Sequence, residues 1–441
     1  MTIMLKKFLF GMYVFLFIFN PNIFFNLNIS IFLFLIALFS FLFFSKEYQL
    51  LVKNKNLFTY IFFLLYIIFY LILLSVLVGS DAFLMAYTYL LVIFSLVCSF
   101  FIVVIYGRLY KLSFVSFLMF LISIGFVQLI FVFFTIITPE FREFLLTTSR
   151  DENLWIISNY SGGLRSFGLA NGYTSTFPML MGVYALIAIL MALNKHFLNL
   201  NFYWLFALSI LFLISVILNA RIGLVPIFIF ILSIIFFMVC SVKYLVSGLK
   251  FLILCGILFV LTLLINLDVY KYTVRLTWAA EEIAALISGD KVGTFLVLGN
   301  MFHFPDNTFA LIFGTGLSVF GDQNNFTFSS DIGFVRDIYM FGIFNTLLLI
   351  FVIIYLTSPL RKYLNDYFGV IATFSLFVAL ISYYFKGATW SSSEIYNFIV
   401  LLSVFSVYLK TEVWKTCKAA PDGMTTESLK LKTTSFETKL A

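Results

Sequence analysis

Arg221 has the clearest chemical potential in this chain. It stands in Asn219-Ala220-Arg221-Ile222-Gly223, a short turn between two long apolar runs. An arginine at membrane depth is costly and by default marks a functional site. One use is bland: the side chain snorkels to the interface. The other is an anion clamp, since a guanidinium can grip phosphate oxygens bidentately. The clamp is favoured, and Pro226 one turn later is expected to kink the helix and widen the cavity there.

Further candidates occupy the two polar stretches at about 139–172 and 268–335. Arg165 lies in the glycine-rich run Ser161 to Gly168, which leads into Asn171-Gly172. Such a run either brings backbone amides and a guanidinium to a phosphate or is a flexible tether. The other charges nearby (Glu140, Arg142, Glu143, Arg150, Asp151 and Glu152) read as a solvated surface. In the second stretch Leu276, Ala280, Ile283 and Ile287 recur at helical spacing. The other side of that short helix presents Arg275, Trp278 and Glu282. It either lies on the membrane surface or faces a sugar, with an aromatic for the ring and charges for hydroxyls or phosphate. Gly314-Thr315-Gly316 and then Ser330-Asp331-Ile332-Gly333 follow, with Arg336 and Asp337 opening an apolar run. Asp331 is expected to cap that helix, and a carboxylate there could also serve as a general base toward a hydroxyl. His303, just before Pro305, is a lone histidine and reads first as structural.

The elements that position these residues follow from composition. Of 441 residues, 63% are hydrophobic and 11% charged, where soluble domains carry about 25% charged residues. Lipid must be the solvent, and lipid admits only helices or closed barrels. The apolar runs are continuous over roughly 20 residues, the length of a spanning helix, so an all-α polytopic protein is expected. Twelve spans are placed near 5–20, 23–45, 57–79, 85–106, 113–138, 173–193, 201–219, 222–242, 250–267, 336–357, 369–386 and 393–410. The first is read as uncleaved, because no small-residue cleavage site precedes Pro21.

Orientation comes from lysine and arginine. With the N-terminus cytoplasmic, the inner side holds 18 basic against 6 acidic residues, and the outer side 9 against 14. The net charge of +7 is therefore a topology signal and not a nucleic-acid footprint. Both long connections fall outside. Residues 1–410 form the membrane domain, and 411–441 read as a disordered cytoplasmic tail. Cys98, Cys240, Cys255 and Cys417 suit neither a disulfide nor a metal cluster. Neither a phosphate-binding GxxxxGK[ST] loop nor HExxH is present, so ATP-driven transport and metal-dependent hydrolysis lose support.

With these features the sequence resembles the O-antigen polymerases, the Wzy family. The resemblance rests on the twelve spans and two outer loops, and on Asn-Ala-Arg-Ile-Gly at 219–223. It rests also on Arg275-Leu-Thr-Trp278, and on Gly314-Thr-Gly316 followed by Ser330-Asp-Ile-Gly333 and Gly342. It implies a GT-C-like enzyme at the periplasmic face of the bacterial inner membrane, acting on undecaprenyl-pyrophosphate-linked oligosaccharides. Arg221, Arg165 and Arg275 would stabilise the pyrophosphate leaving group. Asp331 or Glu282 would be the base, and Trp278, Arg336 and His303 would contact substrate. No cofactor is implied; a chain-length regulator protein is an implied partner. The nearest alternative is the O-antigen ligase, whose outer-loop histidine follows the glycine pair, whereas His303 precedes it. A flippase or transporter ranks third, because the mid-span positions are almost uniformly Phe, Leu and Ile.

Overall fold

The computed structural model describes residues 3–21, 29–78, 82–148, 166, 168–170, 176–193, 202–219, 221–240, 288, 299, 301–317, 319, 330–387 and 393–418. Among these the regular structure is entirely helical. The helices are α1 (Ile3–Phe19), α2 (Ile29–Val52), α3 (Lys55–Val78), α4 (Ala82–Leu109), α5 (Phe114–Ile137), α6 (Pro139–Thr148), α7 (Thr176–Leu193), α8 (Phe202–Asn219), α9 (Val225–Cys240), α10 (Thr308–Phe313), α11 (Gly333–Leu356), α12 (Ser358–Tyr384) and α13 (Glu394–Lys418). A 3₁₀ turn, Arg221–Leu224, joins α8 to α9. Eight of these helices are long and apolar enough to cross a membrane, so the chain is a multi-pass membrane protein; 203–219 and 222–236 are shorter apolar helices. The span expected at 250–267 lies outside the described residues.

The bundle is apolar inside and out, as a lipid solvent requires. Phe32, Phe62 and Phe69 point outward with more than half their surface exposed, while every residue from Phe177 to Ala192 of α7 is buried. α7 and α13 form the centre, and α2 and α3 lie at the periphery. Hydroxyls inside the helices return to their own backbone: Ser99 to Ser95, Ser403 to Ile399 and Ser406 to Leu402. Each of these three hydroxyls thus has its donor satisfied within its own helix.

Three helices break internally, at Phe44, Gly342 and Gly369. Both glycines have φ +84°, a region open in practice only to residues without Cβ. At Gly369 the break separates a polar piece, 358–368, from the apolar piece 370–384, so the connection before this expected span is itself helical. Two other expectations are corrected. Pro226 does not kink its helix; it sits in the first turn of α9, where a missing N–H costs nothing. The helix leading into the C-terminal tail continues past Thr411 to Lys418; residues 419–441 lie outside the described ones.

The connections that charge counting assigns to one side do come together. Glu47 pairs with Arg108 at 2.5 Å, and the Lys7 ammonium lies 4.8 Å over the Tyr110 ring. Phe114 stacks on Tyr363, and Tyr408 packs against Gly107. The opposite end carries the polar residues considered next.

Candidate functional site

The site is built around backbone contacts that only glycine permits. A Cβ on Gly182 of α7 would stand 1.8 Å from the Gly223 carbonyl, and one on Gly223 would stand 2.1 Å from the Pro178 carbonyl. The turn that begins at Arg221 is therefore pressed directly onto α7. Asn219, at the end of α8, fixes the other side of the turn. It is 4% exposed, and its amide donates to the Ser166 carbonyl at 2.6 Å and to that of Ser215 at 2.8 Å. Its Oδ1 is buried and accepts no hydrogen bond among the described residues.

Ser166 directly follows Arg165 in sequence and is itself buried. Its hydroxyl donates to the Val132 carbonyl at 2.6 Å and meets the Thr135 hydroxyl on α5. Gly168, at φ +56°, lies so close to Val132 and Gln128 that a Cβ would not fit without a shift. The end of the glycine-rich run is thus tied into the bundle beside the Arg221 turn. The start of this outer connection also differs from the solvated surface expected of it. Pro139–Thr148 is a helix whose Phe141 packs on Phe131 and Phe134. Partial burial there lowers Arg142 from its ordinary value.

From the turn, contacts lead to a second cluster. Tyr383 of α12 donates to the Met179 carbonyl at 3.1 Å, one residue from the Pro178 that abuts Gly223. Its neighbour Tyr384, also buried, donates to the Asp337 carboxylate of α11. Asp337 is 3% exposed. Arg336 is half-buried and lies near enough to Asp337, Asp331, Tyr384 and Tyr89 for its charge to act on all four. Gly333 sets this geometry, since a Cβ there would stand 2.3 Å from the Gly387 carbonyl. A third carboxylate, Glu394, is buried at the start of α13 and accepts from Thr176 at the start of α7. Among the described residues no group of three metal-ligating side chains comes together.

Asp331 does not cap α11. The residue preceding the helix is Ile332, without a side-chain cap. Ser330 takes the local role instead: its Oγ accepts from the Ile332 N–H at 3.2 Å and donates to the Met301 carbonyl at 3.0 Å. Asp331 is turned toward Lys386, 3.9 Å away, because the short serine side chain reaches back where the longer carboxylate points outward. His303 is exposed on the stretch after Met301. Arg165, Arg275, Trp278 and Glu282 lie outside the described residues, as does the side chain of Arg221.

The structure adds Tyr384, Lys386 and Glu394 to the residues singled out by sequence and gives contacts to Asp337 and Asn219, which the sequence marks only by position. Two of these carried a visible signal: Asp337 follows an arginine into an apolar run, and Glu394 is the one carboxylate opening the last span. Tyr384 carried none, because tyrosine is common throughout this chain.

Fold and site together define a polytopic helical membrane protein with buried carboxylates and cationic residues gathered at one end of its bundle. No family model, curated protein or solved structure matches the chain.

Proposed function

We propose that the protein is a lipid-linked oligosaccharide polymerase of the bacterial inner membrane, with twelve spans, GT-C-like architecture, cytoplasmic termini and a periplasmic site. In this reading the bond from the growing glycan's anomeric carbon to undecaprenyl pyrophosphate breaks. A glycosidic bond forms to a hydroxyl of the next lipid-linked repeat unit, and that hydroxyl loses its proton. Arg221, with Arg165 and Arg275, would hold the departing pyrophosphate, since charge developing on a leaving group is best met by preplaced donors. Asp331 or Glu282 would accept the proton. Arg336, Trp278 and His303 would contact substrate.

One observation carries the reading. The Arg221 turn is joined through Pro178, Met179, Tyr383 and Tyr384 to Arg336 and Asp337, so cationic positions from distant parts of the sequence share one end of an apolar bundle. A substrate with a diphosphate head and a long apolar tail matches that combination. The break at Gly342 is the feature that favours a transporter. Its freed carbonyls are occupied, however: Tyr339 accepts from the Thr315 N–H at 2.7 Å and Met340 from the Gly316 N–H at 3.1 Å. Each already has a protein partner, which weighs against a cargo site there.

The test is a gel of lipopolysaccharide from a deletion strain carrying variant genes. The deletion is expected to keep a single repeat unit on the lipid A-core and to lose the ladder. Arg221→Ala should do the same, with Arg221→Lys restoring part of the ladder, because lysine supplies charge without the bidentate fork. Complete absence of attached repeat units would point to a ligase or flippase and overturn the proposal. A normal ladder from Arg221→Ala at equal protein level would remove Arg221 from the mechanism.

A further inference from the structure

Residues 301–319 belong, by sequence, to a polar outer loop, yet their contacts follow a different course. At the mouth of α11, Met301 packs with Val319, Ile332, Val335 and Tyr339, and Phe302 meets the ring of Phe334 at 5.6 Å. The chain then runs along α11 until Phe313 and Gly314 lie against Phe341 and Gly342. There a Cβ on Gly342 would stand 2.0 Å from the Ile312 carbonyl. Thr315 and Gly316 reverse its direction, bonding to the carbonyls of Tyr339 and Met340. Val319 is back at the mouth, its carbonyl accepting from the Ser330 N–H at 2.8 Å. The path goes in and comes out on the same side.

Its distance from the polar ends of two helices can be given twice. Gly342 is nine residues into α11, about 13 Å along a helix at 1.5 Å per residue. Tyr70 of α3 donates to the Phe313 carbonyl; it lies eight residues before Val78, about 12 Å from that helix's end. α3 ends in Val76, Leu77 and Val78, all exposed and apolar, so its terminus does not project far into water. At this depth residues 307–317 contain no ionisable side chain. Their outward face presents Phe309, 67% exposed, with Ile312 and Phe313 also exposed. Irregular backbone is tolerated inside a membrane where its polar groups are satisfied by protein or line a water-filled cavity. The break at Gly342 and the Thr315–Gly316 turn satisfy each other.

We propose that residues 302–317 form a re-entrant hairpin that enters the bilayer from the polar end and rests its Phe309–Phe313 face on lipid acyl chains. This inference stands apart from the reaction proposed above, because it concerns only where the segment sits.

The test uses the full chain with its four cysteines replaced by alanine, reconstituted in phosphatidylethanolamine–phosphatidylglycerol vesicles. Nitroxide labels are placed on Asp306→Cys, Phe309→Cys and Ile312→Cys. The ratio of collisions with oxygen to collisions with a water-soluble nickel chelate is then measured. The ratio is expected to favour nickel at 306 and to reverse in favour of oxygen at 309 and 312. Nickel access at 309 and 312 equal to that at 306 would overturn the hairpin. Phe309→Trp, which keeps an aromatic side chain, provides a second reading should the labelled variants misfold. Brominated acyl chains should quench its added emission, whereas quenching by aqueous iodide alone would refute insertion.

Discussion

The two ends of this bundle use charge in opposite ways. At the basic end Arg108 and Glu47 pair with 50% and 25% of their side chains exposed, and the guanidinium also lies 4.2 Å over Phe44. These groups keep part of their hydration, the guanidinium more than the carboxylate. At the other end Asp337 and Glu394 are almost wholly buried and hydrogen-bonded to Tyr384 and Thr176. Taking a carboxylate out of water costs several kcal/mol unless partners replace the lost hydration. A chain made largely of Phe, Leu and Ile meets that cost only where something is gained by holding a charge still. Orientation requires charge at an address; chemistry requires charge in a fixed geometry.

The largest effect should come from disturbing the backbone contacts that hold the site end together. Gly223→Ala places a methyl group 2.1 Å from the Pro178 carbonyl, and backbone cannot yield as a flexible side chain does. Overpacking of this kind costs about 1–3 kcal/mol or more. The expected result is loss of the lipopolysaccharide ladder together with a lowered Tm in detergent. An unchanged ladder would mean that the contact between α7 and the Arg221 turn does not position the site.

Next is the buried carboxylate. Asp337→Leu removes the charge that acts on Arg336 and the carboxylate that accepts from Tyr384, and removing one member of a buried charged arrangement costs roughly 3–5 kcal/mol. Tyr384→Phe removes the hydrogen bond to that carboxylate, about 1.5–3 kcal/mol when the remaining partner is charged. Thermal unfolding of both single variants and the double variant gives the coupling between them. Additive effects would show that the two side chains do not act as a pair.

The two glycine breaks sharpen the comparison, because they share φ +84° but differ in surroundings. A methyl group on Gly369 would meet nothing within 4 Å, while one on Gly342 would meet the Ile312 and Phe313 backbone. Gly369→Ala should cost only backbone strain, of order 1–3 kcal/mol. Gly342→Ala adds a clash with the segment around α10 and should lower Tm further. Equal shifts would mean that the packing against α10 contributes little.

These comparisons also show what the sequence made legible. The apolar runs between Leu57 and Val78 and between Phe114 and Ile137 announced their helices, because lipid leaves few alternatives for uncharged stretches of that length. Arg221 was visible as a cation where cations are costly, and Gly342 was noticed as a motif residue. What Gly342 does was not legible, since its role depends on Ile312, thirty residues away. The partnership of Asp337 with Tyr384 was hidden for the same reason: Tyr384 stands in a stretch rich in tyrosine, and only packing selects it. The local role of Ser330 is hidden because Asp331, an equally good capping residue by type, stands beside it. Periodicity and charge balance are local sums, whereas the site is made by contacts across the sequence.

The smallest effect is expected at the basic end, and it tests the comparison most directly. Arg108→Gln removes a 2.5 Å ion pair that on distance alone looks stronger than anything Asp331 and Lys386 make at 3.9 Å. Exposed pairs nevertheless contribute only about 0–1 kcal/mol, because water and salt screen them and two long side chains must be held in place. The Arg108→Gln variant should therefore unfold within a few degrees of the parent and keep a full ladder. The small difference should shrink further as salt rises through the range where surface charges are screened. A loss of the ladder at normal protein level would give this end a part in the chemistry and erase the contrast between orienting and reacting charge. A large, salt-independent fall in Tm would instead place Arg108 among the buried charges, where distance rather than exposure decides the energy.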